Sequence, residues 1–433
     1  AYVFHRGADG NWTQQQRLIA ENTETIRWLR FGTSVDIDGD YVVVGAMNPS
    51  SGGGTTNFFN GAAYVFHRGA DGNWTQQQRL VHPDPTMTTE NAGGSSNNFG
   101  ESVSISGNYI IVGTRNDKEE ASQAGAAYIF TRSNTSWSSP EQIVASDAAA
   151  NDGFGNSVSI SGDYAIVGAS QDDDGGSASG SAYIFKWDGT SWPQQSKIVA
   201  TDAGAGNNFG NSVAIDGEYA IVGAYLAGVG GFQVGTAYIF KRDGTSWPHQ
   251  DKIIGSDVAT IDNFGHSVAI DGEYAIVGAT GDDDGGSYSG SAYVYEIDLP
   301  VIISTSMAND NSTVTVTFCE AVYSTDGGSG ALDVSDFTLS LSGGWATLTS
   351  ATPTSISASG NAYTLGINLS GTPNGNEVLT VLPVANAIYN ADGNAGSQYT
   401  SYSSSSNSVN LNQKTLTEVK SLEHYSDGSA EWN

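Results

Sequence analysis

The chain of 433 residues has one cysteine, Cys319, so no intrachain disulfide can form and the fold must close through sheet pairing and core burial. Only 16 Lys and Arg stand against 46 Asp and Glu, for a formal charge of −30. That balance leaves no basic cluster to meet nucleic acid phosphates or an anionic membrane surface. No run approaches the roughly 18 apolar residues that cross a bilayer, and no signal peptide opens the chain, so membrane insertion is not expected. The chain opens inside a repeat at Ala1-Tyr2-Val3-Phe4, without an initiator Met, as a processed product or a fragment would; targeting information is then expected upstream. What is abundant is glycine, 55 residues, with many Ser, Thr, Asn and Tyr, a composition of short strands and tight turns with almost no helix.

Self-similarity dominates the first two thirds of the chain. Phe-Gly pairs start at Phe31, Phe99, Phe154, Phe209 and Phe264, and the spacing settles at 55 residues after a first interval of 68. Ala-Tyr-Val/Ile-Phe/Tyr segments start at Ala1, Ala63, Ala127, Ala182, Ala237 and Ala292, and Trp12, Trp74, Trp137, Trp192 and Trp247 keep phase with them. Residues 1–18 and 63–80 are identical, which points to recent duplication.

Within one unit, Ser157-Val158-Ser159-Ile160 alternates polar and apolar residues as a half-buried strand does. The turn Ser161-Gly162-Asp163 leads to Tyr164–Ala169, apolar enough for burial on both faces. An acidic Gly/Ser loop, the strand Ala182–Phe185 and a fourth strand over Trp192–Ile198 complete the unit. Four antiparallel strands repeated at this period predict propeller blades, with the Phe-Gly strand innermost and Gly168, Gly223 and Gly278 where neighbouring blades approach closely.

The run Phe-Gly-x-Ser-Val-x-Ile-x-Gly-x-Tyr-x-Ile-Val-Gly-Ala, as at Phe264–Ala279, resembles the FG-GAP repeats of integrin α-subunit propellers and their microbial relatives. The resemblance covers residues 1–298 and implies a propeller, usually an extracellular recognition or scaffold module. Integrin-type repeats carry a calcium loop between their first two strands; here that place holds short turns such as Asp216-Gly217-Glu218 and Asp271-Gly272-Glu273. The last unit, Phe264–Tyr295, has no Trp strand, and Asn11–Ala20 is a Trp strand with no Phe-Gly pair before it. The expected closure is therefore five blades completed by the N-terminal strand, or a part of a larger ring. A variant pairs residues 1–20 with the edge of another molecule, because unpaired edges recruit strands.

At Leu299-Pro300 the period stops, and strands alternate afresh over Thr313–Phe318, Phe337–Leu341, Tyr363–Ile367 and Val378–Val381, a sandwich-sized stretch. Thr315–Tyr323 and Asn386–Asn394 resemble motifs of bacterial and surface-layer-type immunoglobulin-like domains, with Cys319 where Ser is usual. The all-β reading thus assigns 1–298 to a β-propeller, 299–413 to an immunoglobulin-like β-sandwich, and 414–433 to a tail or the start of a further unit.

For chemistry, Asp172, Asp173 and Asp174, and again Asp282, Asp283 and Asp284, offer hard oxygens on flexible turns and are the candidate Ca2+ ligands, against a solvated acidic rim as the plain alternative. Asp147, Asp152, Asp202, Asp257 and Asp262, ahead of the Phe-Gly pairs, are expected to cap turns. Asn11, Asn73, Asn134, Asn311 and Asn368 lie in glycosylation sequons. No nucleophile elbow, zinc helix, P-loop or dinucleotide fingerprint occurs, no organic cofactor is expected, and the chain is expected not to be an enzyme. The function anticipated is an extracellular structural protein, a building block of a surface layer, hair or fibre that self-associates. The alternatives are an adhesin binding glycan or protein through a propeller face, and a propeller-type polysaccharide hydrolase.

Overall fold

Each repeat folds as one antiparallel sheet because short apolar strands alternate with turns whose positive φ favours glycine or asparagine, such as Gly162 at +54° and Asn208 at +54°. The computed structural model describes residues 1–21, 30–47, 61–84, 97–229, 232–272, 274–297, 300, 302–391, 408–412, 423–424 and 430–431. The chain divides into two compact units, Ala1–Ile297 and Asp298–Asn433.

In the first unit, a two-stranded pair, Tyr2–Arg6 with Trp12–Arg17, precedes five blades. The first blade runs Arg30–Asp38, Tyr41–Met47, Ala62–Arg68, Trp74–Leu80, each strand hydrogen-bonded to the next. The second follows the same order through Val103–Ser106, Tyr109–Thr114 and Ala126–Ser133, its outer strand split into Ser136–Trp137 and Glu141–Ile143. The third is Ser157–Ser161, Tyr164–Ala169, Ser181–Lys186, Gln194–Ile198; the fourth is Ser212–Asp216, Tyr219–Ala224, Thr236–Lys241, His249–Ile253. The fifth has three strands, Phe264–Asp271, Tyr274–Ala279 and Ser291–Glu296. The expected pairing of the N-terminal Trp strand with this fifth blade is not seen: Trp12–Arg17 pairs with Tyr2–Arg6, which shares the Ala-Tyr-Val sequence of the third strands.

Consecutive blades join through a recurring backbone contact. Gly61, Gly125, Gly180 and Gly235 form parallel bridges to Phe99, Phe154, Phe209 and Phe264 of the next blade. A Cβ on Gly125 or Gly180 would lie 2.0 Å from the Phe154 or Phe209 carbonyl oxygen, so no other residue fits. The four phenylalanines are fully buried, each contributing roughly 1.5–3 kcal/mol by removal from water. The innermost strands also touch: Val213 N donates to Ser157 Oγ at 3.0 Å and Ile215 N to Ser159 Oγ at 3.2 Å. The small polar residues of the alternation therefore satisfy the neighbouring blade's backbone instead of facing bulk water.

In the second unit, a four-stranded sheet orders Ile302–Met307, Thr313–Phe318, Ala362–Gly366, Ile356–Ser359, and a three-stranded sheet orders Phe337–Ser342, Val378–Pro383, Ser408–Asn410. Val314, Val316 and Leu365 of the first share one core with Leu339, Leu379 and Val381 of the second. Residues 392–394 of the second motif, and all of the 414–433 tail except 423–424 and 430–431, lie outside the described residues.

Candidate functional site

The acidic loops sit between the second and third strands of the third and fifth blades, where a conserved geometry folds them back on a tyrosine of the third strand. In the third blade Tyr183 Oη donates to Asp172 Oδ2 at 2.8 Å, and in the fifth Tyr293 Oη donates to Asp282 Oδ2 at 2.9 Å. The second blade repeats the link with Tyr128 to Asp117 at 2.9 Å, and there His82 Nε2 also lies 2.8 Å from the Asp117 carboxylate. The fourth blade, whose loop has no aspartate, uses Tyr238 to Asp202 at 2.7 Å. Burial and the neighbouring carboxylates push the Tyr183 and Tyr293 hydroxyls far up, so both stay protonated donors.

The two candidate calcium loops differ in charge balance. In the third blade Lys197 Nζ stands 3.0 Å from Asp172, 2.5 Å from Asp174 and 2.7 Å from Asp147. Burial opposes the charge on Asp172, but the Asp174 N–H, the Tyr183 hydroxyl and the Lys197 ammonium outweigh it and hold its carboxyl low. Asp173 is outside this cluster; its Oδ1 accepts from Ala178 N at 2.7 Å and closes the loop. The ammonium thus fills the place where a cation would bind.

In the fifth blade Tyr293 Oη bridges Asp257, at 2.7 Å, and Asp282, with Asp284 N donating to Asp282 Oδ1 at 3.1 Å. Asp282 and Asp257 push the Asp284 carboxyl up by repulsion. Asp283 is exposed. No lysine or arginine is paired with these three carboxylates among the described residues.

Of the residues ahead of the Phe-Gly pairs, Asp152 and Asp262 cap turns, accepting from Ala149 N at 2.7 Å and Ala259 N at 2.5 Å. Asp147, Asp202 and Asp257 instead take part in the tyrosine and lysine clusters, which the turn-capping expectation missed. Their signal in the sequence is a Tyr 36 residues after Asp202 and Asp257, as Tyr stands 11 residues after Asp117, Asp172 and Asp282. Asn11, Asn73, Asn134 and Asn368 are exposed. Asn311 is not an available acceptor: its amide is buried, donating from Nδ2 to Asn412 O at 2.8 Å and accepting from Asn412 N at 2.8 Å.

The tryptophans Trp74, Trp137, Trp192 and Trp247 are buried at the junctions, edge-on to a tyrosine of the preceding blade at Trp137–Tyr41, Trp192–Tyr109 and Trp247–Tyr164. Trp12, in the identical sequence, is 66 % exposed where Trp74 is 4 %.

Among solved structures, the chain is similar to a periplasmic gluconolactonase of Pseudomonas aeruginosa, at 14% identity and a TM-score of 0.40, over 73% of this chain and 84% of that one. The expectation that the chain is not an enzyme is withdrawn on this match, since the matched protein is a gluconolactonase. At that level of likeness no activity or site residue passes to this chain. No curated protein matches. The family model of the FG-GAP repeat matches residues 12–66, 74–130, 137–185, 192–240 and 247–295, more than half of the sequence, and the chain belongs to the FG-GAP repeat family.

Proposed function

We propose that the chain is an extracellular or cell-surface structural component, a self-associating building block of a surface layer, hair or fibre. The observation that carries this reading is the pair of unfinished faces on the propeller unit. Tyr2, Phe4 and Trp12 are exposed on the first strand pair, and Tyr274, Ile276 and Val294 on the last blade, where their counterparts in inner blades are covered. Exposed apolar faces of this size mark association surfaces. In this reading five blades each receive one Trp-bearing outer strand, and the Trp12–Arg17 sequence completes the last. The second unit acts as a spacer of the bacterial, surface-layer immunoglobulin-like type. Calcium enters this reading as the rival occupant of Asp282 and Asp284, where it would replace a side-chain cation.

Electron microscopy and light scattering of concentrated protein test the reading: regular polymers are expected, and dispersed monomers at high concentration would count against it. A second reading, an adhesin for glycan or protein, is favoured by Tyr288, exposed at the tip of the fifth-blade acidic loop. Glycan-array binding lost in Tyr288→Ala would support it.

A further inference from the structure

Two contacts recur where a tryptophan strand meets the preceding sheet, each at three of the four junctions. Trp74 Nε1 donates to Gln15 Oε1, Trp137 Nε1 to Gln77 Oε1 and Trp247 Nε1 to Gln195 Oε1, each at 3.2 Å. One residue further on, Gln16, Gln78 and Glu141 accept the backbone N–H of Trp74, Trp137 and Trp192 at 2.9, 2.9 and 2.8 Å. Where the second blade has Pro140 in place of the first glutamine, the Trp192 indole N–H has no partner.

The fourth blade carries the same pair as Gln250 and Asp251, but the fifth blade brings no tryptophan to them. Gln250 Oε1 is buried without a partner, while its Nε2 donates to Ile297 O at 3.2 Å. Asp251 accepts from Lys252 N at 2.7 Å.

A second, independent correspondence is one of charge. The outer strand of each four-stranded blade with a cation at this position sets it beside the third-strand tyrosine: Arg79 beside Tyr64, Lys197 beside Tyr183, Lys252 beside Tyr238. Lys197 and Lys252 also neutralise the aspartates that bind those tyrosines. In the fifth blade Tyr293 and Asp257, Asp282 and Asp284 are present, and among the described residues the cation-bearing strand is not. The residue of Trp12–Arg17 that falls at this position is Arg17, paired in register with Tyr2 as Lys197 is with Tyr183.

The backbone agrees. Gly278 and Gly290 repeat the junction glycines, yet no next-blade atom crowds them, and Gly32 of the first Phe-Gly pair has nothing within 4 Å, where Gly100 would meet the preceding blade at 2.4 Å.

We propose that Ser291–Glu296, the outermost strand of its sheet among the described residues, is a receptor for the Trp12–Arg17 strand of a second copy of this chain, joining copies head to tail. Trp12 supplies the indole and backbone N–H groups for Gln250 and Asp251, and Arg17 the cation for Asp257, Asp282 and Asp284. Ser291–Glu296 takes the place of Tyr2–Arg6 on the donor strand, so one antiparallel ladder replaces another while Trp12 and the face of Tyr274, Ile276 and Val294 are covered. A second copy is the occupant because the two faces are complementary but both exposed within one chain. This deepens the proposed structural role and rests on it.

The test uses the full chain with Cys319→Ser, Thr13→Cys and Glu296→Cys, positions that pair in the register of Thr75 with His67. Mild oxidation is expected to give a ladder of dimers and higher multimers on a non-reducing gel, lost with Arg17→Glu and retained with Arg17→Lys. Thiols consumed within a monomer would overturn the second-copy inference and leave a ring closed within one chain. Thiols that stay free would overturn both, as would a ladder indifferent to Arg17→Glu. Calcium alone stabilising both the wild type and Arg17→Glu, with no ladder, would assign the acidic cluster to a metal ion instead.

Discussion

The indole N–H of Trp137 donates to Gln77 Oε1 across the junction between the first and second blades, a link from the outer strand of one sheet to the outer strand of the next. Because the tryptophan is buried, losing the acceptor strands its N–H. Gln77→Leu is expected to cost about 1–3 kcal/mol, the range for an unsatisfied buried donor, read from urea denaturation. The same denaturation curve for a double variant with Trp137→Phe should show the two losses to be non-additive, since they remove one bond.

The junction glycines give a sharper contrast. Gly180→Ala places a Cβ 2.0 Å from Phe209 O at a φ of +84°, whereas Gly290→Ala, at +71°, meets nothing nearer than 3.6 Å. The first is expected to cost about 2–4 kcal/mol, combining left-handed backbone strain with overpacking. The second should cost only the backbone share, about 1 kcal/mol. Equal losses in thermal melts would mean that the blade contact does not decide the glycine.

Lys197→Met keeps the aliphatic stem and leaves Asp147, Asp172 and Asp174 facing one another. A loss on the order of 2 kcal/mol is expected at neutral pH, between the values for exposed and buried ion pairs. The loss should shrink as pH falls through about 4, where carboxylates protonate. Millimolar calcium should raise the melting midpoint of Lys197→Met more than that of the wild type, because only the variant has a vacant cation position there.

Burial lifts the Asp251 carboxyl to about 7 from an unfolded value near 3.8. The folded chain therefore holds this proton more tightly, so the contribution to stability is complete below about pH 4 and is lost as pH rises through about 7. Asp251→Asn cannot ionise and is expected to flatten the decline of the urea midpoint between about pH 4 and 7. An unchanged slope would show that Asp251 is ionised at little cost in the folded chain.

The blades were legible because Phe-Gly, Ala-Tyr and Trp recur in phase, and each anchors one strand whose partner lies in the same repeat. The pairing of Trp12–Arg17 was not, because Ala1-Tyr2-Val3 and Ala292-Tyr293-Val294 carry the same third-strand segment and compete for one edge. The acidic loops were read as hard oxygen donors, yet Lys197, which neutralises one of them, lies on another strand of the blade and 25 residues from Asp172. The role of Ser157 and Ser159 was hidden for a related reason: alternation shows that a residue faces away from the core, not what waits on that side.

Since the first four blades meet one another through the same phenylalanine, glycine and tryptophan groups, a recombination event that removes or inserts one whole repeat leaves two surfaces that still fit. The duplicated stretch at 1–18 and 63–80 is a trace of such an event in this chain. Gene length can then drift in whole modules while the first and last surfaces keep their chemistry, and relatives with different repeat numbers would remain able to join with one another.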